Sequence, residues 1–175
     1  MFILITGGSG NGKSTFAERL AIRFRTPRYY IATMRPFGEE SHNKIRRHRE
    51  QRRTKGFDTL ELYSSVADAP VVPNSCVLLE CMCNLTANIM FSETGEANPS
   101  AYDQILDEIN SLVERSETLI VVTNDVGSEP LQQYELATRL YAETLGRINI
   151  ELAKRADVVY ELVAGIPLVL KGTAL

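Results

Sequence analysis

The sequence predicts one α/β domain in which a mostly parallel β-sheet carries helices on both faces. Two observations lead to this prediction. Short apolar runs rich in β-branched residues indicate buried strands, and they alternate with segments whose apolar residues recur at helical spacing. Strands that alternate with helices build βαβ units, and therefore a three-layer fold. The length of 175 residues suits a single domain spanning 1–175 with an ordinary core.

The strands and helices follow from these two patterns in chain order. Apolar runs place strands at 2–6, 29–33, 76–80, 118–123 and 158–163. Helical spacing occurs in three groups of apolar residues: Phe16, Leu20 and Phe24; Ile105, Ile109 and Leu112; and Leu136, Leu140, Ile148 and Leu152. Stretches rich in Pro, Gly, Asn and Ser predict loops at 67–75 and 92–100.

Composition excludes several classes of protein. The chain has 19 Lys and Arg against 22 Asp and Glu, a formal charge of −3, which argues against a nucleic-acid or anionic-membrane partner. No apolar run approaches the roughly 18 residues of a membrane span, and the start "MFILIT" lacks the length and basic flank of a signal peptide. We therefore expect a cytoplasmic protein. Cys76, Cys81 and Cys83 form no C-x-x-C pair and are expected to be reduced thiols.

The stretch "GGSGNGKS" fits the phosphate-binding P-loop pattern G-x-x-x-x-G-K-[ST]. It lies between a predicted strand and an amphipathic helix, so its backbone N–H groups and the helix N-terminus can surround phosphate oxygens. Lys13 is expected to contact the β- and γ-phosphates as a catalytic residue, and Ser14 to ligate Mg²⁺. The alternative is a glycine-rich turn that only connects strand to helix. The predicted nucleotide-binding residues here are Gly7, Gly8, Ser9, Gly10, Asn11, Gly12, Lys13 and Ser14.

A carboxylate at the end of a neighbouring strand usually supports the metal of a P-loop site. Glu80 follows three apolar residues in "VLLE", which places it at the carboxyl edge of the sheet, where ligands bind. We interpret Glu80 as a metal and nucleotide contact, the alternative being a strand-end glutamate that faces solvent. Asn124 and Asp125 end another strand, and there a role in orienting a hydroxyl or the metal shell is weighed equally against an Asx turn.

The densest positive charge lies at 44–55, which holds seven Lys and Arg residues with Glu50 as the only acid. His48 stands in its middle. Neighbouring cations disfavour the imidazolium form, so a neutral, nucleophilic imidazole is expected there. Three interpretations stay open: a solvated charged helix, an anion-binding site made by the arginines, and a nucleophile that attacks phosphorus. Anion binding is favoured from the residues alone, and His42 is given no role.

The order of motifs resembles a known family. The matching stretches are "ILITGGSGNGKS", "YIAT", "KIRRHR", "LLEC", "VTNDVG", "GRIN" and "AGIPLVLK", which run nearly from end to end. In this order they resemble the bifunctional adenosylcobinamide kinase / adenosylcobinamide-phosphate guanylyltransferases of cobalamin biosynthesis. The resemblance implies a RecA-like P-loop NTPase fold, a homotrimer and two reactions. These are phosphorylation of adenosylcobinamide or a related corrinoid by ATP or GTP with Mg²⁺, and GMP transfer from GTP through a GMP–histidine intermediate.

The resemblance also assigns residues. His48 matches the family's nucleophile, which implies that the basic cluster holds the phosphates of GTP while His48 attacks the α-phosphorus. Matching positions imply further nucleotide contacts at Ala32, Thr33, Met34, Arg49, Glu50, Gln51, Arg52, Glu61 and Glu80.

The chain departs from the family pattern mainly on the acceptor side. Asp125 replaces a glutamate, Ser128-Glu129-Pro130 replaces the usual segment after "VTNEVG", and Cys83 stands where a hydroxyl residue is usual. The nucleotide chemistry is therefore expected to be better preserved than acceptor binding. The alternatives are an enzyme that retains only one activity, with guanylyl transfer favoured, a small-molecule kinase of another pathway, or a nucleotide switch.

Overall fold

A computed structural model describes residues 1–25, 27–36, 46, 50, 54–91, 97–126 and 131–175. In that part of the chain, seven strands form one sheet in the order β3-β2-β4-β5-β1-β6-β7. All neighbouring pairs are parallel except β6 with β7, which are antiparallel. The strands are β1 Phe2–Thr6, β2 Arg28–Ala32, β3 Asp58–Glu61, β4 Cys76–Glu80, β5 Thr118–Val122, β6 Val158–Val163 and β7 Ile166–Lys171.

The five strands predicted from apolar runs are confirmed, with shifts of one residue in β2 and at the end of β5. The sequence pattern missed β3 and β7. Three of the four residues of β3 are exposed, and so are all six of β7. β3, with the sequence DTLE, therefore lacks the apolar pattern from which buried strands are recognised, whereas β7, with the sequence IPLVLK, is apolar but lies exposed at the edge of the sheet.

The helices whose bounds fall within the described residues are α1 Lys13–Ala21, α2 Met82–Met90, α3 Ala101–Arg115 and α4 Leu136–Arg155, with a short 3₁₀ turn at Leu131–Gln133. Helix α1 buries Ala17, Leu20 and Ala21 against one face of the sheet. Helices α2, α3 and α4 cover the other face. The predicted three layers are thus confirmed, although α2 was missed because it begins two residues after β4 and has no capping side chain at Cys81.

Two predicted apolar positions of α4 do not reach the core. Leu136 is 66% exposed and Leu140 is 40% exposed, whereas Leu145, Ile148 and Leu152 are fully buried. A helix of 20 residues is about 30 Å long, whereas a strand of five or six residues spans roughly 17–20 Å. The first turns of α4 therefore extend beyond the sheet that its later turns cover. Similarly, α1 ends at Ala21, so Phe24 lies beyond the helix that its spacing predicted.

Candidate nucleotide-binding site

The P-loop connects the end of β1 to the start of α1, as its sequence context predicted. Gly7 has a φ of 132°, and a Cβ added there would lie 2.5 Å from the carbonyl oxygen of Leu162. Gly12 caps α1 in the left-handed region with a φ of 82°. Both positions therefore require glycine, the first for space and conformation and the second for conformation alone. The side chain of Asn11 ties the loop to β6 by donating to the Leu162 carbonyl oxygen at 3.1 Å.

Lys13 lies inside the loop with its side chain folded back. The residue is only 7% exposed, and its Nζ donates to the carbonyl oxygens of Gly7 at 2.9 Å and Gly8 at 2.7 Å. Burial lowers the pKa of Lys13, while the nearby Cys83, Cys81 and Glu80 act in the opposite direction. The loop carbonyls thus hold the ammonium group inside the P-loop, and its predicted contact with phosphates stays a prediction.

The predicted metal residues, Ser14 and Glu80, meet although 66 positions separate them. The Ser14 hydroxyl donates to Oε1 of Glu80, and the Tyr30 hydroxyl donates to Oε2 at 2.8 Å. Glu80 therefore does not face open solvent as a strand-end residue; donors from two elements hold both of its oxygens. Hydroxyl and carboxylate oxygens are the ligands that Mg²⁺ prefers, so this pair fits that ion. Metal binding itself stays a prediction.

Thr33 joins the ends of β2 and β4. The residue is fully buried, and its hydroxyl accepts from the Cys81 N–H and donates to the Cys81 carbonyl oxygen, both at 2.8 Å. The side chain of Asn88 donates to the carbonyl oxygens of Thr33 and Tyr63, also at 2.8 Å. The Thr33 side chain is thus engaged within the protein, and its predicted nucleotide contact, like those of the half-buried Ala32 and Met34, stays a prediction.

Cys83 has an environment that the sequence did not reveal. Its thiol has a pKa lowered to about 6, chiefly by a hydrogen bond from the Cys81 thiol, against the opposing effect of burial. The N–H of Asn124, the hydroxyl of Tyr141 and the charge of Lys13 also lower this pKa. Cys76, Cys81 and Cys83 are free, which confirms the prediction of reduced thiols. The lowered pKa favours the thiolate form of Cys83, and the charge of the P-loop lysine contributes to that shift.

The end of β5 is joined to the same region. The Asn149 side chain donates to the carbonyl oxygen of Asn124 at 3.0 Å and accepts from the Thr123 hydroxyl at 2.7 Å. The Asp125 N–H donates to the Gly7 carbonyl oxygen at 3.4 Å. These contacts place Asn124 and Asp125 beside the P-loop. The choice between orienting a hydroxyl and forming a turn stays open.

A cleft of about 490 Å³ lies at the carboxyl ends of β2 and β3. Glu61, a predicted nucleotide contact, is in its wall, and the Tyr63 hydroxyl donates to Oε2 of Glu61 at 3.3 Å. Carboxylate, hydroxyl and guanidinium groups face one space there, which suits a polar ligand. The lining residues are Arg35, Pro36, Glu61, Leu62, Tyr63, Ser64, Ser65 and Asp68.

Most of the basic cluster lies outside the described residues. The residues at 44–55 that lie outside include His48, Arg49, Gln51 and Arg52. On the acceptor side, Ser128, Glu129 and Pro130 also lie outside the described residues. Arg46 and Glu50 are described and exposed. Lys55, which the sequence grouped with the cluster, instead forms a salt bridge with the buried Glu18 of α1. That cation therefore anchors the chain to α1.

Two features are absent from the described residues, a membrane-spanning helix and a cluster of metal-ligating side chains. None of the helices in these ranges is long and apolar enough to cross a membrane. Among the same residues there is also no group of three or more His, Cys, Asp and Glu side chains that could hold a metal ion by themselves.

Comparisons with known proteins agree with the geometry. A family model described as cobinamide kinase / cobinamide phosphate guanyltransferase matches residues 3–170. The bifunctional adenosylcobalamin biosynthesis protein CobU of Escherichia coli (strain K12) is 34% identical over 184 residues, covering 98% of this chain and 100% of that protein. CobP of Pseudomonas aeruginosa, also described as a bifunctional adenosylcobalamin biosynthesis protein, is 30% identical over 175 residues, covering 98% of each.

Solved structures extend the comparison to the fold. One solved ATPase domain aligns with a TM-score of 0.50 and 12% identity, covering 98% of this chain and 76% of that chain. A prototypical ATPase from the type III secretion system of pathogenic bacteria aligns with a TM-score of 0.50 and 13% identity, covering 93% of this chain and 51% of that chain. At sequence identities this low, the similarity shows a common fold and nothing about function. They confirm the predicted three-layer P-loop architecture.

Proposed function

Because this chain belongs to the cobinamide kinase / cobinamide phosphate guanyltransferase family, we propose that Lys13, Ser14 and Glu80 serve its kinase step and His48 its guanylyl transfer. Membership confirms the resemblance drawn from the motifs. The chain is a transferase of adenosylcobalamin biosynthesis with these two activities. The observation that carries the residue assignment is the convergence of the P-loop lysine, the P-loop serine and the strand-end carboxylate at one sheet edge.

In the kinase step, the P-loop orients the triphosphate of ATP or GTP. Lys13 exchanges the carbonyl oxygens of Gly7 and Gly8 for phosphate oxygens, so its charge meets the charge that develops during transfer. The corrinoid hydroxyl attacks the γ-phosphorus and forms the new O–P bond, while the bond from the γ-phosphorus to the β-phosphate oxygen breaks. The nucleoside diphosphate leaves, and the hydroxyl proton is released to solvent. Ser14 and Glu80 would hold Mg²⁺, which supplies charge neutralisation to the phosphates when bound.

In the guanylyl step, His48 attacks the α-phosphorus of GTP and pyrophosphate leaves. The phosphate of adenosylcobinamide phosphate then attacks the same phosphorus, releasing His48 and giving adenosylcobinamide-GDP. The arginines at 46–53 offset the phosphate charge in both halves. Glu61, which the family resemblance assigns to the nucleotide, lies in a cleft whose lining suits a polar ligand.

We also assign a cytoplasmic homotrimer. The family resemblance is the main support. Several apolar side chains of β7 are exposed, among them Ile166, Leu168 and Leu170, and such a surface favours association with another chain.

The test is a labelling experiment with GTP. The protein is incubated with Mg²⁺ and GTP labelled at the α- or the γ-phosphate, and protein-bound label that is lost in acid but survives base is counted. We expect label from the α position only, none in His48→Ala, and wild-type labelling in the matched control His42→Ala. Kinase turnover should largely persist in His48→Ala. Absence of α-label in protein that binds GTP, or its persistence in His48→Ala, would refute the assignment.

A further inference from the structure

We propose that Tyr30 is a positioning residue for phosphoryl transfer, because its hydroxyl fixes the carboxylate of Glu80 beside Ser14. This inference rests on the proposed role of Glu80 at the metal site. It adds a residue that does not touch the nucleotide and acts through the carboxylate.

The strand register explains how Tyr30 reaches Glu80. On the paired strands β2 and β4, Tyr30 lies opposite Leu78, and Ala32 lies opposite Glu80. Alternate residues of a strand share a face, so all four lie on the α1 face of the sheet. Tyr30 is therefore the diagonal neighbour of Glu80, a separation that a long aromatic side chain spans. Its hydroxyl donates to Oε2 at 2.8 Å.

The ring of Tyr30 is held in place by its surroundings. The residue is 2% exposed and belongs to the core layer between α1 and the sheet. It packs edge to face against Phe57, with ring centroids 6.0 Å apart and an interplanar angle of 78°. A buried ring fixed on two sides offers its hydroxyl in one direction, so the donor is in place before a ligand arrives.

The two oxygens of Glu80 consequently have different partners. Ser14, at the start of α1, donates to Oε1, whereas Tyr30, from β2, donates to Oε2. If Ser14 were to ligate a metal ion instead, the bond from Tyr30 would still fix the rotation of the Glu80 carboxylate. Partners that orient a metal-ligating carboxylate in this way usually change metal affinity when they are removed.

The chain offers a matched control in Tyr160. It is also 2% exposed, lies in the same core layer and packs edge to face against an aromatic ring, that of Phe16, at 5.1 Å. Its hydroxyl oxygen accepts from the N–H of Leu175 at 2.8 Å. Tyr160 is on β6, three strands from β4. Tyr160→Phe therefore removes a buried hydroxyl of the same kind away from Glu80.

The experiment measures binding of Mn²⁺, a paramagnetic substitute for Mg²⁺, by electron paramagnetic resonance on the full chain with a non-hydrolysable ATP analogue. We expect Tyr30→Phe to weaken Mn²⁺ binding about tenfold or more, with metal-free binding of the analogue unchanged. Kinase turnover of this variant should fall at limiting Mg²⁺ and recover at high Mg²⁺. Tyr160→Phe should match the wild type in each measurement.

A double-mutant cycle tests whether Tyr30 acts through Glu80. Glu80→Gln should weaken Mn²⁺ binding, and adding Tyr30→Phe to that variant should produce no further loss. Equal losses in both backgrounds would overturn the proposal. The proposal would also be overturned if Tyr30→Phe kept the wild-type Mn²⁺ affinity while Glu80→Gln lost Mn²⁺ binding. That result would not contradict the proposed function.

Two other outcomes are equally decisive. If Glu80→Gln binds Mn²⁺ as the wild type does, Glu80 is not a metal residue, and both the assigned role and the inference fail. The second outcome is that Tyr30→Phe lowers the thermal midpoint, Tyr160→Phe does not, and the Mn²⁺ affinity per folded molecule is unchanged. Tyr30 is then a structural residue, so the inference fails while the proposed role of Glu80 is unaffected.

Discussion

The edge of the sheet at the ends of β1 and β4 and the outer strand β7 depart from ordinary burial in opposite ways. At the first, charged and polar groups are inside: Lys13 is 7% exposed and Thr33 is 0% exposed. At the second, apolar side chains are outside: Ile166 is 63% exposed and Leu170 is 58% exposed. Buried polar groups and exposed apolar surface are the two informative exceptions in a soluble domain.

The difference lies in whether the exceptional groups already have partners. The polar groups of the first region are hydrogen-bonded to one another and to the backbone, so their burial costs little while they wait for a ligand. The apolar side chains of β7 are exposed to water, which is energetically unfavourable. The first region is therefore suited to a small charged ligand, and the exposed apolar surface of β7 supports the proposed association with another chain.

The largest effect is expected from Lys13→Met. Removing the ammonium group should lower kinase turnover by on the order of 10²- to 10³-fold, because a preorganised charge is lost from the transferring phosphates. Thermal unfolding should stay close to that of the wild type, since burial of this cation does not favour folding. Steady-state kinetics and calorimetry measure the two effects, with the exposed Lys154→Ala as control. A large loss of stability without loss of turnover would show that Lys13 stabilises the fold and does not serve a ligand.

Glu108 is a buried carboxylate away from the site, so it separates a structural role of a buried polar group from a functional one. It is 7% exposed and accepts from the N–H groups of Val66 and, at 3.1 Å, Ala67. Glu108→Ala should cost about 2 kcal/mol of stability, because two backbone donors lose a charged partner. Turnover of the folded protein should not change. Urea denaturation tests this against Glu114→Ala, an exposed position on the same helix, and a fall in turnover would contradict it.

The thiols provide a pH-dependent test of the first region. Ultraviolet absorbance of the thiolate should show Cys83 titrating near pH 6, whereas burial raises the pKa of Cys76 to about 12. Cys81→Ala should shift the lower transition upward, because the Cys81 thiol is the main donor to Cys83. The pKa of Cys83 is depressed by folding, so its contribution to stability should disappear as pH falls through about 6. A first transition at the ordinary thiol pKa would refute this.

The smallest effect on the folded chain is expected at β7. Leu168→Lys should change the free energy of unfolding by no more than about 0.5 kcal/mol, since the position is already 45% exposed. It should nevertheless reduce association, which light scattering at fixed concentration measures. Thr173→Lys is the matched control on the exposed C-terminal segment. Unfolding of Leu168→Lys would show that Leu168 stabilises the fold of the chain and is not available for association.

Much of the site could be predicted because its signals are local. The spacing of Gly7, Gly12, Lys13 and Ser14 is a property of eight consecutive residues, and Glu80 was found because it directly follows an apolar run. The basic cluster around His48 was also recognised from consecutive residues, and its chemistry stays a prediction. Tyr30 gave no such signal, since a tyrosine within a strand looks like an ordinary core residue.

Periodicity and motif spacing were enough to predict the parallel core strands, the P-loop and the family, because both depend on neighbours along the chain. Which side chains from distant segments contact one another became known only from the tertiary structure. Register places Tyr30 diagonal to Glu80, the sheet order brings Ser14 to the same carboxylate, and folding of α2 sets Cys83 near Lys13. Such contacts depend on strand pairing between distant segments, and the residues adjacent in sequence do not encode that pairing.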